Sequence, residues 1–101
     1  MVFLYITCSS EEEAKKIGTA LISKKAAGCV NYFPISSIYW ENNELKAVSE
    51  YVIIVKTIDS KVQAVEEITR ENHSYQTPCI ASFSSHRINH EYKEWLQKQV
   101  V

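Results

Sequence analysis

Residues 29–57 limit the fold of this chain more than any other segment. "CVNYFPISSIYW" (29–40) and "AVSEYVIIVKT" (47–57) are rich in β-branched and aromatic residues, a composition typical of strands. Between them lies "ENNE" (41–44), and asparagine tolerates the positive φ angles that tight hairpin turns require. Pro34 requires the first strand to lie at a sheet edge or a bulge. The segment is therefore predicted to form one long antiparallel hairpin.

Three helices are predicted from capping signals and helical spacing. Ser10 and Glu13 have capping-box spacing, apolar residues then recur at positions 14, 17, 21 and 22, and Gly28 is a plausible stop. A second box at residues 60–63 predicts the start of another helix. Asn89 is the expected cap of a short C-terminal helix, "NHEYKEWLQKQV".

Two further strand patterns complete the order of elements. "VFLYIT" (2–7) and "CIASFSS" (79–85) are short apolar or β-branched runs. The order is strand, helix, strand, strand, helix, strand, helix, which predicts an α+β fold. We expect a ferredoxin-like βαββαβ sandwich with an extra C-terminal helix and a long central hairpin. Residues 1–101 are predicted to form this single domain.

The predicted hairpin is too long for a lone domain of this size. A strand of about 11 residues extends roughly 36 Å, whereas a 100-residue globule has a radius of gyration of only about 13 Å. The hairpin is therefore expected to overhang, with Tyr39 and Trp40 near its tip. Exposed aromatic side chains and long strand edges are usually covered by a partner, so we expect a homo-oligomer.

Composition and charge exclude several classes of function. The net charge of −1 provides no basic surplus for a nucleic-acid backbone, and no apolar run approaches a membrane span. Neither nucleic acid nor membrane is therefore an expected partner. Cys8, Cys29 and Cys79 are odd in number and form no C-x-x-C pair, which favours free thiols in the reducing cytoplasm. No catalytic triad or glycine-rich phosphate loop is evident, so an enzyme is not expected.

Cys29 and His73 are the candidate metal ligands, because thiolate and imidazole bind transition metals. Both are expected at the edge of the sandwich, where they could approach within a subunit or across an interface. Equally, Cys29 could be a small buried apolar residue, and His73 could end a helix.

Glu50 and Lys56 are six residues apart on one strand face and require partners unless they reach solvent. Tyr92 and Trp95 are expected either in the core or lining a pocket.

The assembled pattern resembles the CutA family, the divalent-cation tolerance proteins, nearly from end to end. The matching positions are "CVN" (29–31), "IYW" (38–40), Glu50, "KT" (56–57), "HSYQTP" (73–78) and "NHEYKEWL" (89–96). The resemblance implies a ferredoxin-like trimer, similar to the nitrogen-regulatory PII proteins, in which long hairpins join the subunits.

The resemblance also implies a function and a site. It implies binding of copper or another divalent cation in metal tolerance, with Cys29 and His73 as ligands and no organic cofactor. The residues implied to line or brace a cleft between subunits are Tyr39, Glu50, Lys56, Tyr75, Tyr92 and Trp95. The alternative is a PII-like signalling or scaffold trimer whose cleft binds a small molecule or a partner protein.

Overall fold

The computed structural model describes all residues from 1 to 101 as one four-stranded antiparallel sheet with helices. The strands are β1 (Val2–Cys8), β2 (Cys29–Glu41), β3 (Glu44–Thr57) and β4 (Ile80–Ser84), in the spatial order β2-β3-β1-β4. The helices are α1 (Glu11–Ser23), α2 (Val62–Glu71) and α3 (His90–Gln99), with a 3-10 turn at Asp59–Lys61. The predicted ferredoxin-like α+β fold with its extra C-terminal helix is confirmed. No helix has the length and apolar character needed to cross a membrane.

The core lies between the sheet and helices α1 and α2. Along β1, alternate side chains are buried, and Leu4 and Ile6 face the helices. Their partners on β3, Val55 and Ile53, lie on the same face of the sheet and are also fully buried. Because side chains alternate between faces, Glu50 and Lys56 belong to the opposite face of β3, which we call the open face.

The central hairpin is as long as the sequence predicts. Strands β2 and β3 pair from Cys29–Lys56 to Glu41–Glu44, and the two-residue turn has φ angles of 51° at Asn42 and 63° at Asn43. Positive φ at both turn positions defines the turn type whose twist matches that of the strands. The prediction of a turn at "ENNE" is confirmed.

Half of this hairpin extends beyond the rest of the sheet. Strand β1 pairs with β3 only over residues 51–57, so residues 35–50 form a two-stranded ribbon, and the molecule measures 47 × 26 × 20 Å. Ile38, Trp40 and Leu45 on the ribbon are 74%, 72% and 65% exposed. The predicted overhang is therefore confirmed, and it leaves large apolar side chains uncovered.

Two of the predicted helix boundaries are wrong. Helix α1 ends at Ser23, and the residue with positive φ after it is Lys25 (57°), not Gly28. At the second helix the predicted box at residues 60–63 does not form, since a 3-10 turn comes first and Lys61 caps α2 without a side-chain hydrogen bond. The first box is confirmed in part, because the amide of Glu13 donates to Ser10 Oγ at 3.1 Å.

Gly28 allows α3 to pack across one end of the sheet. A Cβ atom at this position would collide with Cδ1 of Leu96 and lie 3.6 Å from Trp95 Cζ3. Leu96 is fully buried, so its side chain has little room to move. The glycine is therefore required by a contact with a helix almost seventy residues later in the chain, and this contact places α3 beside Cys29.

We expect Gly28→Ala to lower the free energy of unfolding by about 1–3 kcal/mol, because the added methyl overpacks the contact with Leu96. Leu96→Ala alone should cost about 2–5 kcal/mol through the cavity it leaves. In the double variant the two costs should be clearly less than additive, since the smaller side chain admits the methyl. Urea denaturation at one fixed protein concentration measures all three, and strict additivity would contradict this account of Gly28.

Candidate functional site

The residues predicted to form the site lie in two groups at opposite ends of the open face. Register places Cys29 opposite Lys56 at one end and Ile35 opposite Glu50 at the other. Glu50 and Lys56 are six residues apart on β3, a separation of about 20 Å along a strand. The structure therefore does not bring all the predicted residues together within one chain.

His73 fixes the connection between α2 and β4. Its side chain is 1% exposed, and Nε2 lies 2.7 Å from the carbonyl oxygen of Thr7. Because a carbonyl can only accept, Nε2 carries the proton, and Nδ1 accepts the backbone N–H of Tyr75 at 3.0 Å. Both ring nitrogens are thus occupied, and His73 holds residues 72–79 against strand β1.

Glu13, in the first turn of α1, fixes the same connection from the other side. One carboxylate oxygen accepts the backbone N–H and the hydroxyl of Ser9 at 2.9 and 3.0 Å, and the other accepts the backbone N–H of Ser74 at 2.7 Å. Burial raises the pKa of Glu13, but these hydrogen bonds from Ser9 and Ser74 outweigh it and hold the pKa below its ordinary value. The ionised carboxylate is therefore the form that stabilises this connection.

Tyr75 joins the connection to the hairpin through Glu50. Its phenol donates to Glu50 Oε2 at 2.6 Å, a short charge-assisted hydrogen bond, and Glu50 is only 8% exposed. Burial, followed by this bond and the charge of Glu50, raises the pKa of Tyr75, so the phenol stays protonated.

Tyr39 on β2 lies close to the Glu50–Tyr75 pair. Together these residues border a cavity of about 530 Å³. It is lined by Thr7, Tyr39, Glu41, Glu50, Ser74, Tyr75, Gln76, Thr77 and Cys79. We call this the Glu50 cavity.

The second group surrounds Cys29 at the other end of the open face. Lys56 Nζ lies 5.8 Å from the centroid of the Tyr92 ring, and the rings of Tyr92 and Trp95 are 5.3 Å apart. Burial and the neighbouring thiol of Cys29 raise the pKa of Tyr92. Cys29 itself is a half-buried free thiol. This group is therefore a thiol beside a phenol and an ammonium, at the point where α3 meets the sheet.

Cys29 and His73 do not meet within one chain. His73 is bonded to Thr7, which pairs with Val52, whereas Cys29 pairs with Lys56. Val52 and Lys56 are four residues apart, which is about 13 Å along β3. No three histidine, cysteine or acidic side chains converge on a point where they could hold a metal ion. Of the two predicted ways for Cys29 and His73 to approach, only the one across an interface remains.

Sequence reasoning missed two members of the Glu50 region. Glu13 was interpreted only as a helix-capping residue, although its carboxylate also binds Ser74, sixty-one residues later in the chain. Cys79 was interpreted only as a free thiol, although it lines the cavity. The acidic first turn of α1 was the only sequence signal for Glu13, and no sequence signal identified Cys79. The bond of Glu13 to Ser74 and the place of Cys79 in the cavity wall both depend on where the connection between α2 and β4 returns to the sheet.

Comparison with known proteins gives a consistent result along the whole chain. A family model described as CutA1 divalent ion tolerance protein matches residues 2–99. The divalent-cation tolerance protein CutA of Archaeoglobus fulgidus is 41% identical over 98 residues, which cover 97% of this chain and 96% of that protein. The protein of the same name from Thermotoga maritima is 35% identical over 101 residues and covers all of both chains.

The similarity extends to a solved structure. The periplasmic divalent cation tolerance protein CutA from Archaeoglobus fulgidus superposes with a TM-score of 0.96 and 40% sequence identity over all of both chains.

We expect the connection at residues 72–79 to loosen in acid. The folded-state pKa of Glu13 is depressed, so its stabilising effect is present above its ordinary pKa of about 4.5 and is lost as pH falls through the lower folded value. The Ser74 amide should therefore exchange faster as pH falls below about 4.5. The loss of its protection should be larger than the decrease in global stability alone would cause. Glu13→Gln should show weak protection at every pH, and the same acid transition in that variant would contradict the assignment to Glu13.

Proposed function

Since the chain belongs to the family of CutA1 divalent ion tolerance proteins, we propose that it binds copper or another divalent ion as a cytoplasmic homotrimer. The observation that carries this proposal is the family match over residues 2–99, which spans every helix and strand of the fold. The relatives are named for tolerance of divalent cations, and we propose the same contribution here, without catalysis. The metal is therefore cargo or signal and not the resident cofactor of a reaction.

We propose Cys29 and His73 as ligands contributed by two different subunits. A thiolate and an imidazole suit copper better than magnesium or calcium. One chain alone does not supply a chelating set, because these residues lie about 13 Å apart along the strand direction. Binding at His73 must also replace one of its two hydrogen bonds, at a cost of about 1 kcal/mol. The affinity is therefore expected to be modest.

The overhanging ribbon supports the trimer. An isolated two-stranded ribbon is only marginally stable in water, yet residues 35–50 have no third strand beside them. The exposed side chains of Ile38, Trp40 and Leu45 give the ribbon an apolar surface that a second copy would bury.

The free cysteines favour the cytoplasm as the compartment. Cys8, Cys29 and Cys79 are all unpaired thiols, the state that a reducing compartment maintains.

A second candidate function is binding of a small molecule or partner protein by a PII-like signalling or scaffold trimer. The observation that favours it is the Glu50 cavity, whose volume of about 530 Å³ is within the range of small-molecule sites. The other predicted cleft residues, Lys56, Tyr92 and Trp95, lie at the opposite end of the open face. They belong to the same cleft only if a second subunit brings the two ends together.

Metal binding is tested by titrating Cu(I), Cu(II) and Zn(II) into the wild type and into Cys29→Ala and His73→Ala. We expect about one copper ion per subunit for the wild type and loss of binding in both variants. Cys79→Ser is the matched control, since it removes an exposed thiol at the other end of the open face. Equal binding by all four proteins, or no binding by the wild type below millimolar concentration, would reject metal binding at these residues.

The oligomeric state is tested by size-exclusion chromatography with light scattering. We expect three times the chain mass of 11.6 kDa for the wild type at micromolar concentration. A charge at the ribbon, Trp40→Glu, should shift the mass towards that of the monomer, because it would have to be buried without a partner. Glu66→Gln, on the exposed surface of α2, should remain a trimer. A clean wild-type monomer would contradict the proposal.

A further inference from the structure

The overhanging ribbon, residues 35–50, joins the rest of the chain at a narrow base. Strand β1 ends its pairing with β3 at Cys8 and Tyr51, so Glu50 is the first residue of β3 beyond the end of β1. From this base the ribbon extends about 20 Å to the pair Glu41–Glu44, so a rotation of about 10° at the base moves the tip by about 3 Å. The direction of the ribbon therefore depends on what residues 50 and 51 contact.

On the open face, Glu50 is held by Tyr75. The phenol donates to Oε2 at 2.6 Å, and the carboxylate belongs to a residue that is only 8% exposed. The backbone N–H of Tyr75 donates to the ring of His73, which in turn donates to the carbonyl of Thr7. The bond from Tyr75 thus connects the base of the ribbon to the end of β1.

On the opposite face, Tyr51 is held by helix α1. Its side chain lies on the same face of β3 as Ile53, which is buried against the helices. The phenol donates to Glu11 Oε2 at 3.1 Å, and Oε1 of the same carboxylate pairs with Lys15 at 3.1 Å. Because this bond is exposed to solvent, it is weaker than the one between Tyr75 and Glu50.

The two hydrogen bonds act on neighbouring residues of β3 from opposite sides of the sheet. Both also lead back to the chain segment around the end of β1, one through Thr7 and the other through Glu11. Since the bonds lie on opposite faces, a swing of the ribbon towards either face lengthens one of them. A single bond would resist bending in one direction only.

We propose that the bonds Tyr75–Glu50 and Tyr51–Glu11 form a clamp that fixes the direction of the ribbon and so orients its apolar surface for a second copy of the chain. That surface, with Ile38, Trp40 and Leu45, lies at the end of the lever and has to meet its partner with close shape complementarity. A ribbon that is already oriented loses less entropy on assembly. The inference rests on the proposed trimer for its partner and names the residues that prepare each chain for it.

NMR relaxation of the ¹⁵N-labelled protein tests whether the clamp controls the ribbon. Tyr75→Phe and Tyr51→Phe each keep the ring and remove only the hydroxyl. Relaxation dispersion should show new microsecond-to-millisecond exchange at the amides of residues 36–49 in both variants. The effect should be larger in Tyr75→Phe, because its bond is buried and charge-assisted. A bond that served only the connection between α2 and β4 would change residues 73–77 and leave the ribbon as in the wild type.

Subunit exchange tests whether the clamp prepares assembly. Labelled and unlabelled oligomers are mixed, and native mass spectrometry follows the formation of mixed species. We expect exchange at least about fivefold faster in Tyr75→Phe, the equivalent of one lost hydrogen bond, and about twofold faster in Tyr51→Phe. Gln63→Ala is the control, since it removes an exposed hydrogen bond to Glu67 on the outer surface of α2 and should exchange as the wild type does.

Three outcomes would overturn the proposal. They are wild-type relaxation of the ribbon in both variants, changes confined to residues 73–77, and unchanged subunit exchange despite a loosened ribbon. A wild-type monomer in light scattering would reject the proposed trimer instead. The relaxation of residues 36–49 would then still decide whether the clamp holds the ribbon, so the two proposals fail separately.

Discussion

The pairing of β3 with strands of unequal length is the constraint on which the rest of this structure depends. Strand β3 pairs with all of β2 but with β1 only over residues 51–57. The paired half lies over the core, where Ile53 and Val55 are fully buried against the helices. The other half extends as a ribbon that borders the Glu50 cavity and exposes apolar side chains. One difference in strand length thus produces both the candidate binding surface and the need for a partner.

The connection between α2 and β4 shows how a chemically reactive motif can serve a structural role. The His73 ring bonds Thr7 and the Tyr75 amide, Glu13 bonds Ser74, and the phenol of Tyr75 bonds Glu50. These bonds fix a segment that has no regular secondary structure. Pre-organisation of this kind reduces the entropy that a ligand would lose on binding beside it. The same bonds oppose metal binding at His73, because an ion has to displace one of them.

The separation of the site residues along the open face relates the two candidate functions. Cys29 and Lys56 lie at one end, and Glu50 and Tyr75 lie about 20 Å away at the other. Metal binding by Cys29 with His73 needs both ends and therefore two chains. Binding of a small molecule in a cleft that includes both Glu50 and Lys56 likewise needs two chains. Both candidate functions thus depend on assembly, although they use different side chains.

The sequence by itself determined the order of elements, the long hairpin that turns at Asn42, and the start of α1 after Ser10. It could do so because strand periodicity, turn chemistry and helix capping each act over a few neighbouring residues. The resemblance to the family also identified His73 as a candidate ligand and Glu50 as a candidate cleft residue. Only the tertiary structure decided what they contact, since the partner of His73 lies sixty-six positions earlier in the chain. Likewise, Gly28 does not end α1; its missing side chain leaves room for Leu96 of α3 to pack against the chain. Such contacts depend on how elements far apart in the chain pack together, and the sequence around each residue does not show which distant residue it will meet.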